Sequence, residues 1–305
     1  MHAGAPVSTR RDGASPFRTV RDLLRYGVSS MTAAHAFFGH GSHNAYDEAA
    51  YLVLHALHLP LDTLEPFLDA RLTDAEINSA MEILDRRAKL RIPAAYLTQE
   101  AWLGEHRFYV DERVIVPRSF IAEMLPGRLS PWIDDPDHVL SVLDMCTGSG
   151  CLAILAALAF PQARVDAVDV SPDALEVARH NLRDYHLESR VTLLESDMFS
   201  ALASQRYDLI ISNPPYVDKP SMIALPKEYR AEPELALAGG DDGLRFVRTL
   251  LRQARGHLNR GGKLVVELGH NRAALEAVHP DLPFTWLETS AGSDLVFLLD
   301  QDQLT

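Results

Sequence analysis

Apolar positions follow two different periods in the two parts of this chain. From Thr19 to Phe38 they fall at Val20, Leu23, Leu24, Val28, Met31, Ala34, Phe37 and Phe38. That is helical spacing, interrupted by Gly27 and stopped by Gly39 and Gly41. A second helix is predicted from Ala45 to His58, capped by Asn44 and ended by Pro60. A third begins at Thr73, which forms a capping box with Glu76. Ile77, Ala80, Met81, Leu84 and Ala88 make its apolar face, and Pro93 ends it. Arg86, Arg87 and Lys89 lie where the helix dipole favours cations. Residues 101–116 then alternate short strand-forming runs with turn residues, as in a hairpin between two domains. Pro117 and Arg118 close it, and Ser119 is placed to cap a helix through Leu125.

Beyond Pro131 the pattern becomes alternating strand and helix. Strands are predicted at Val139–Asp144, Arg164–Val170, Val191–Ser196, Tyr207–Ile211, Lys263–Leu268, Phe284–Glu288 and Leu295–Leu299. Several are continuously apolar, as strands buried on both faces are. The reading is an α/β, doubly wound, Rossmann-like sheet with an antiparallel edge hairpin from the last two strands. The division is 1–15 disordered, 16–98 helical, 99–118 a β-hairpin linker, and 119–305 the α/β domain.

Composition narrows the class. The 305 residues are 47% hydrophobic and 23% charged, enough for a sizeable core. No apolar run approaches the roughly 18 residues of a membrane span. The N-terminus has no signal-peptide pattern, and only Cys146 and Cys151 are present, so no disulfide framework exists and a cytoplasmic location is predicted. Twenty-nine basic against 42 acidic residues give a net charge of −13. This disfavours nucleic acid as the main partner and suits a basic protein. Six of the 13 histidines precede residue 60, but without accompanying cysteines or paired carboxylates no metal is predicted.

Candidate chemistry sits at the ends of the predicted strands. Gly148, Gly150 and Ala153 form a G-x-G-x-x-A turn between strand and helix. Such glycines let backbone approach a ligand at a helix N-terminus. Asp169 ends the second strand, 19 residues after Gly150, where a carboxylate can accept both hydroxyls of a ribose. Asp197 and Met198 follow the third strand, suited to an adenine amino group and an adenine face. The set fits an adenosine ligand, either a dinucleotide or S-adenosylmethionine, and no Walker lysine is present. Neither cysteine has a nearby base, so both read as small buried residues. After the fourth strand comes Asn213-Pro214-Pro215-Tyr216. Two prolines stiffen the backbone, and the asparagine offers an acceptor and two donors on a short arm. This arrangement can grip a planar amide or amine. Glu267, ending the fifth strand, either reaches this site or stabilises its turn.

Together these residues resemble class I S-adenosylmethionine-dependent methyltransferases. Asn213-Pro214-Pro215-Tyr216 is similar to the motif of amino-methylating enzymes of DNA and of protein glutamine methyltransferases. Residues 228–244 and Val116-Pro117-Arg118 resemble the second group. Residues 95–98, 108–114, 116–123, 144–151 and 283–288 resemble its branch acting on ribosomal protein L-three of the large subunit. Where the release-factor branch has Pro-Arg-Pro, this chain has Pro117-Arg118-Ser119. The resemblance implies S-adenosyl-L-methionine as cofactor, facing Asp144, Thr147, Gly148, Gly150, Asp169, Asp197, Met198 and Asn213. It implies Asn213, Pro214 and Tyr216 as catalytic residues. Pro215 and Arg118 join these three in binding substrate, and the helical domain recognises the substrate protein. The alternatives are a glutamine methyltransferase of release factors and a DNA or RNA amino-methyltransferase. A dehydrogenase leaves Asn213–Tyr216 unexplained.

Overall fold

The computed structural model describes residues 16–304; the expected disorder of residues 1–15 lies outside them. The chain separates into two compact units, one ending at Thr98 and the other beginning at Gln99. The helical unit holds α1 (Val20–Ala33), α2 (Ala45–Ala56), α3 (Asp74–Leu90) and the short α4 (Ala94–Thr98). Thr19 and Asp22 form a capping box on α1, Asn44 caps α2, and Thr73 with Glu76 boxes α3. The expected continuation of α1 to Phe38 does not occur. The helix ends at Ala33 and His35 turns left-handed at φ 51°. Gly27 serves packing, since a Cβ there would lie 3.0 Å from the Ala49 Cβ and 2.8 Å from Leu84 Cδ2.

Arg87 lies in the last turn of α3, as expected, and is buried there, 1% exposed. Its guanidinium pairs with Glu48 of α2, donates to the Phe37 carbonyl at 2.7 Å and lies 5.6 Å from the Phe38 ring centre. A planar fork satisfied on several sides is what allows a buried charge to persist.

In the second unit, β1 (Glu100–Leu103) and β2 (His106–Tyr109) form an antiparallel hairpin. It belongs to this unit rather than standing as a separate bridge. The elements that follow are α5 (Ile121–Met124), β3 (Ser141–Met145), α6 (Cys151–Ala159), β4 (Arg164–Asp169), α7 (Pro172–Asp184), β5 (Val191–Glu195), β6 (Tyr207–Ser212), α8 (Lys219–Ala224), α9 (Arg245–His257), β7 (Leu258–Glu267), α10 (Arg272–Val278), β8 (Thr285–Thr289) and β9 (Gly292–Asp300). All seven expected strands are present. Their order is β5-β4-β3-β6-β7-β9-β8, parallel through β7, with β9 antiparallel to both neighbours. The last pair is an edge hairpin, and β8 is its outer strand.

Alternate residues of each central strand enter opposite cores. Val142, Leu209, Ile211 and Val265 join the face covered by α6, while Leu143, Ile210, Leu264 and Val266 join the face covered by α9. α6 is apolar on every side and buried from Cys151 to Ala157. α7 carries the hairpin. Tyr185, its C-cap, stacks on Phe108 and donates to the Arg107 carbonyl, and His180 stacks on Tyr109 at 4.2 Å. Strand order reverses between β3 and β6, whose carboxyl ends are tied where Ser212 Oγ donates to the Met145 carbonyl at 2.7 Å. Open α/β sheets bind ligands at such a switch point. Among the described residues no helix is long and apolar enough to cross a membrane.

Candidate active site

The turn after β3 is built from below by Asp144. This side chain is fully buried, and its Oδ2 accepts from Thr147 Oγ1 at 2.6 Å and from the Ala153 amide at 3.0 Å. Its Oδ1 has no partner, and burial pushes the carboxyl up to about 7. Asp144 and Thr147 therefore shape the turn from beneath. Gly148 takes φ 55° and donates its N–H to Asp169 Oδ2 at 2.9 Å. Gly150, at φ 78°, is the N-cap of α6, and a Cβ there would come within 3.1 Å of the Ala178 Cβ. Its lack of a side chain serves helix packing as well as the turn.

Asp169 ends β4. Its Oδ1 accepts from the Ser171 amide at 2.9 Å, so each oxygen is held by one backbone N–H. Of the roughly four acceptor sites of a carboxylate, two remain. Burial raises this carboxyl above the ordinary range. After β5, Ser196 Oγ donates to the Met198 carbonyl and accepts from the Ala201 amide, and Met198 takes a left-handed φ of 51°. After β6 the chain runs through Asn213, Pro214 and Pro215.

These ends surround one cleft that opens to solvent. Gly148, Asp169, Asp197, Met198, Asn213 and Pro215 line it, as do Arg113, Val114, Ile115, Pro233, Leu235 and Phe246. Asp144, Thr147, Gly150, Pro214, Tyr216 and Arg118 are not part of its lining. Cys146, expected to be buried, is half-buried at φ 63° and faces the cleft; Cys151 is buried. Burial raises both thiols. Among the described residues no group of three or more His, Cys, Asp or Glu could hold a metal ion.

Tyr216 is held against the turn after β7. A Cβ on Gly269 would sit 2.6 Å from its ring, and its carbonyl accepts from Asn271 Nδ2 at 2.8 Å. Burial raises its phenol. Arg118 stands nearby with its guanidinium forked onto Glu232, 2.5 Å to Oε1 and 2.7 Å to Oε2, and 5.1 Å from the Tyr229 ring centre. Glu232 Oε1 also accepts the Val116 amide at 2.9 Å. The Pro117–Arg118 turn is thereby joined to the segment following Tyr216.

Ser119 does not simply cap α5, which starts at Ile121. Its hydroxyl donates to Glu267 Oε2 at 2.7 Å, and the Phe120 amide donates to the same oxygen at 2.8 Å. Glu267 thus stabilises a turn. Burial pushes its carboxyl from 4.5 up to about 7. A carboxyl raised on folding keeps its proton longer in the native than in the unfolded chain. Between these two pH values the native state binds more protons, so stability falls as pH rises. Asp144 acts in the same direction. Glu267→Gln cannot ionise, and is expected to flatten part of this fall in thermal unfolding followed from about pH 4.5 to 8. An unchanged slope would count against the assignment.

Several residues of this region carried no local sign. Asn181 of α7 is fully buried; its Oδ1 accepts the Tyr109 amide at 2.7 Å and its Nδ2 donates to the carbonyls of Tyr109 and Ser149. It joins the hairpin to the glycine turn. Arg113, Asn271 and Phe246 were likewise not singled out. Glu232 lies in the 228–244 stretch that carried the resemblance, but nothing in its spacing marked it.

Known proteins resemble this chain in sequence. The family model described as methyltransferase small domain matches residues 131–225. A ribosomal protein uL3 glutamine methyltransferase of Burkholderia pseudomallei is 58% identical over 297 residues, covering 95% of this chain and 97% of that protein. Its namesake from Bordetella pertussis is 59% identical over 287 residues, covering 94% and 96%. That of Neisseria gonorrhoeae is 57% identical over 291 residues, covering 95% and 97%. With identity this high across nearly the whole of both partners, helical unit included, the chain belongs to the ribosomal protein uL3 glutamine methyltransferase family.

Proposed function

We propose that this protein transfers the methyl group of S-adenosyl-L-methionine to the side-chain amide nitrogen of a glutamine in ribosomal protein uL3. The observation that carries the reading is Asn213 at the carboxyl end of β6, in one cleft with Asp169, Asp197 and Met198. The names of the full-length relatives supply the substrate.

The residues present fit an adenosine. The two remaining acceptor sites of Asp169 suit two ribose hydroxyls, Met198 offers an apolar surface to a base, and Asp197 an acceptor to an amino group. Gly148 leaves bare backbone at the cleft wall. When bound, the cofactor supplies an electrophilic methyl on a sulfonium.

A carboxamide nitrogen is a weak nucleophile because its lone pair is delocalised into the carbonyl. In this reading Asn213 Oδ1 and the Pro214 carbonyl accept its two N–H groups. That aims the nitrogen at the methyl and favours the positive charge that grows on nitrogen as the N–C bond forms and the C–S bond breaks. Holding the groups in line removes entropy in advance. The proton displaced from nitrogen leaves to water. Pro214 and Pro215 keep the acceptors from relaxing, and Tyr216, fixed by Gly269 and Asn271, positions them. Arg118 acts through Glu232 on the same turn, and the helical unit contacts the substrate protein.

Net charge −13 supports a basic protein partner rather than nucleic acid, and a ribosomal-protein substrate fits a cytoplasmic location. Incubation with methyl-labelled S-adenosylmethionine and uL3 is expected to place label on a glutamine nitrogen. Labelling of release factors or oligonucleotides in place of uL3 would overturn the assignment.

A further inference from the structure

The helix α8, immediately after Asn213–Tyr216, buries none of its own side chains. Helices of this length ordinarily depend on packing an apolar face. α8 is instead held at its two ends. Asp218 Oδ1 accepts the Ser221 amide at 2.7 Å at the N-terminus. At the other end Arg230 donates to the carbonyls of Ile223 at 3.1 Å and Leu225 at 3.2 Å. The result is a short, pinned element that presents apolar groups to solvent. Ile223 is 75% exposed and, twelve residues on, Leu235 is 56% exposed.

Beside α8 lies a groove with about 780 Å³ of empty space. Its apolar surface comes from Met222, Ile223, Leu225 and Leu237. Lys219, Arg230 and Glu234 border it, and Arg230 is already engaged with the helix carbonyls. Exposed Glu234 is an acidic group suited to a basic side chain.

What identifies an occupant is how this groove joins the cleft. Residues 232–237 lie between the two. Pro233, Leu235 and Ala236 line the cleft with Asn213, while Glu232, Glu234 and Leu237 line the groove. A glutamine within a protein does not arrive alone. Backbone on both sides of it must leave the cleft across a bordering surface, and this border offers a preformed apolar seat.

We propose that the groove between α8 and residues 232–237 docks the extended polypeptide flanking the target glutamine of the substrate protein. An apolar side chain of that segment sits on Met222, Ile223 and Leu225, and a basic one faces Glu234. The inference rests on the reading of uL3 as substrate. It assigns specificity to contacts outside the reacting amide, where anchors seated in pockets carry most of the binding energy.

The test is steady-state methyl transfer to uL3 by the full-length protein and its Ile223→Asp variant, with calorimetric titration of S-adenosylhomocysteine. Ile223 is exposed, so the variant is expected to fold, and an unchanged melting temperature verifies it. The expected result is a KM for uL3 raised about tenfold, as loss of one buried apolar anchor implies. kcat and S-adenosylhomocysteine affinity stay within about twofold, and Ile223→Leu restores the KM. An unchanged KM in Ile223→Asp, with uL3 still methylated, overturns the docking site and leaves the substrate reading intact. Absence of uL3 methylation by the unmodified protein overturns the substrate reading and the occupant with it. A change of oligomeric state in light scattering, with KM unaltered, assigns the groove to a second copy of the chain and also overturns the proposal.

Discussion

Asn213→Ala is expected to lower kcat for methyl transfer by about 10²–10³-fold, the cost of one preorganised polar group that stabilises developing charge. S-adenosylhomocysteine binding is expected to stay within about threefold, since Asp169, Asp197, Met198 and the glycine turn keep their places. The split follows from what the side chain does in the proposed reaction. Its carbonyl oxygen meets partial charge in the ground state and more of it in the transition state, so its removal falls on the chemical step. Asn213→Asp, which keeps an acceptor but loses the two N–H donors, is expected to fall between the two. Single-turnover transfer with calorimetric titration checks this. A loss of cofactor affinity equal to the loss in kcat would make Asn213 a cofactor-binding group and no more.

The largest stability effect is expected at Glu232. Its carboxylate is buried and forked to the Arg118 guanidinium, and it also accepts the Val116 amide. Glu232→Ala leaves a cation and a backbone N–H without that acceptor. Breaking a fully buried pair from one side costs about 3–5 kcal/mol; with the Arg118 side chain 24% exposed the cost is about 2–3 kcal/mol, which for a unit of this size is a fall in Tm of about 6 °C. Removing both charges is different. Arg118→Met combined with Glu232→Leu leaves no stranded charge and is expected to recover most of the lost stability. Its methyl transfer is expected to remain low, because the Pro117–Arg118 turn then lacks its polar tie to the segment after Tyr216. Differential scanning calorimetry of the three proteins decides. A fall of under about 2 °C in the single variant would show that the pair is not coupled to the fold.

The parts of this protein that sequence reveals are those whose causes are local. Asn44 and Thr73 cap helices within three residues of themselves, and both are visible as caps. The central strands announce themselves because burial on two faces demands continuous apolar side chains. Asp169, Asp197, Met198 and Asn213 are legible because each stands at the end of such a strand, and parallel strands bring their ends together.

What the sequence does not show arises between residues distant in the chain. Arg87 reaches Glu48 across 39 positions, Asn181 reaches Tyr109 across 72, Arg118 reaches Glu232 across 114 and Ser119 reaches Glu267 across 148. No periodicity records such a pairing. The same holds for Asp144, whose place beneath the turn depends on Thr147 and Ala153 folding over it. Phe37 and Phe38 continue a helical spacing by position alone. The chain leaves the helix before them, and Phe38 packs against a guanidinium from another helix.

The order of the strands also bears on how this protein keeps to itself. β7 and β9, the two longest strands, lie side by side in the interior of the sheet, although the second runs against the first. The margins fall to β5 and β8, five residues each. β5 exposes Thr192 and Glu195, and β8 exposes Glu288 beside an irregularity in its pairing. Short margins with charged or hydroxyl groups are poor templates for another chain. The apolar strands most prone to edge-to-edge aggregation are thus used up on each other, and a concentrated solution meets only the two least adhesive borders of the sheet.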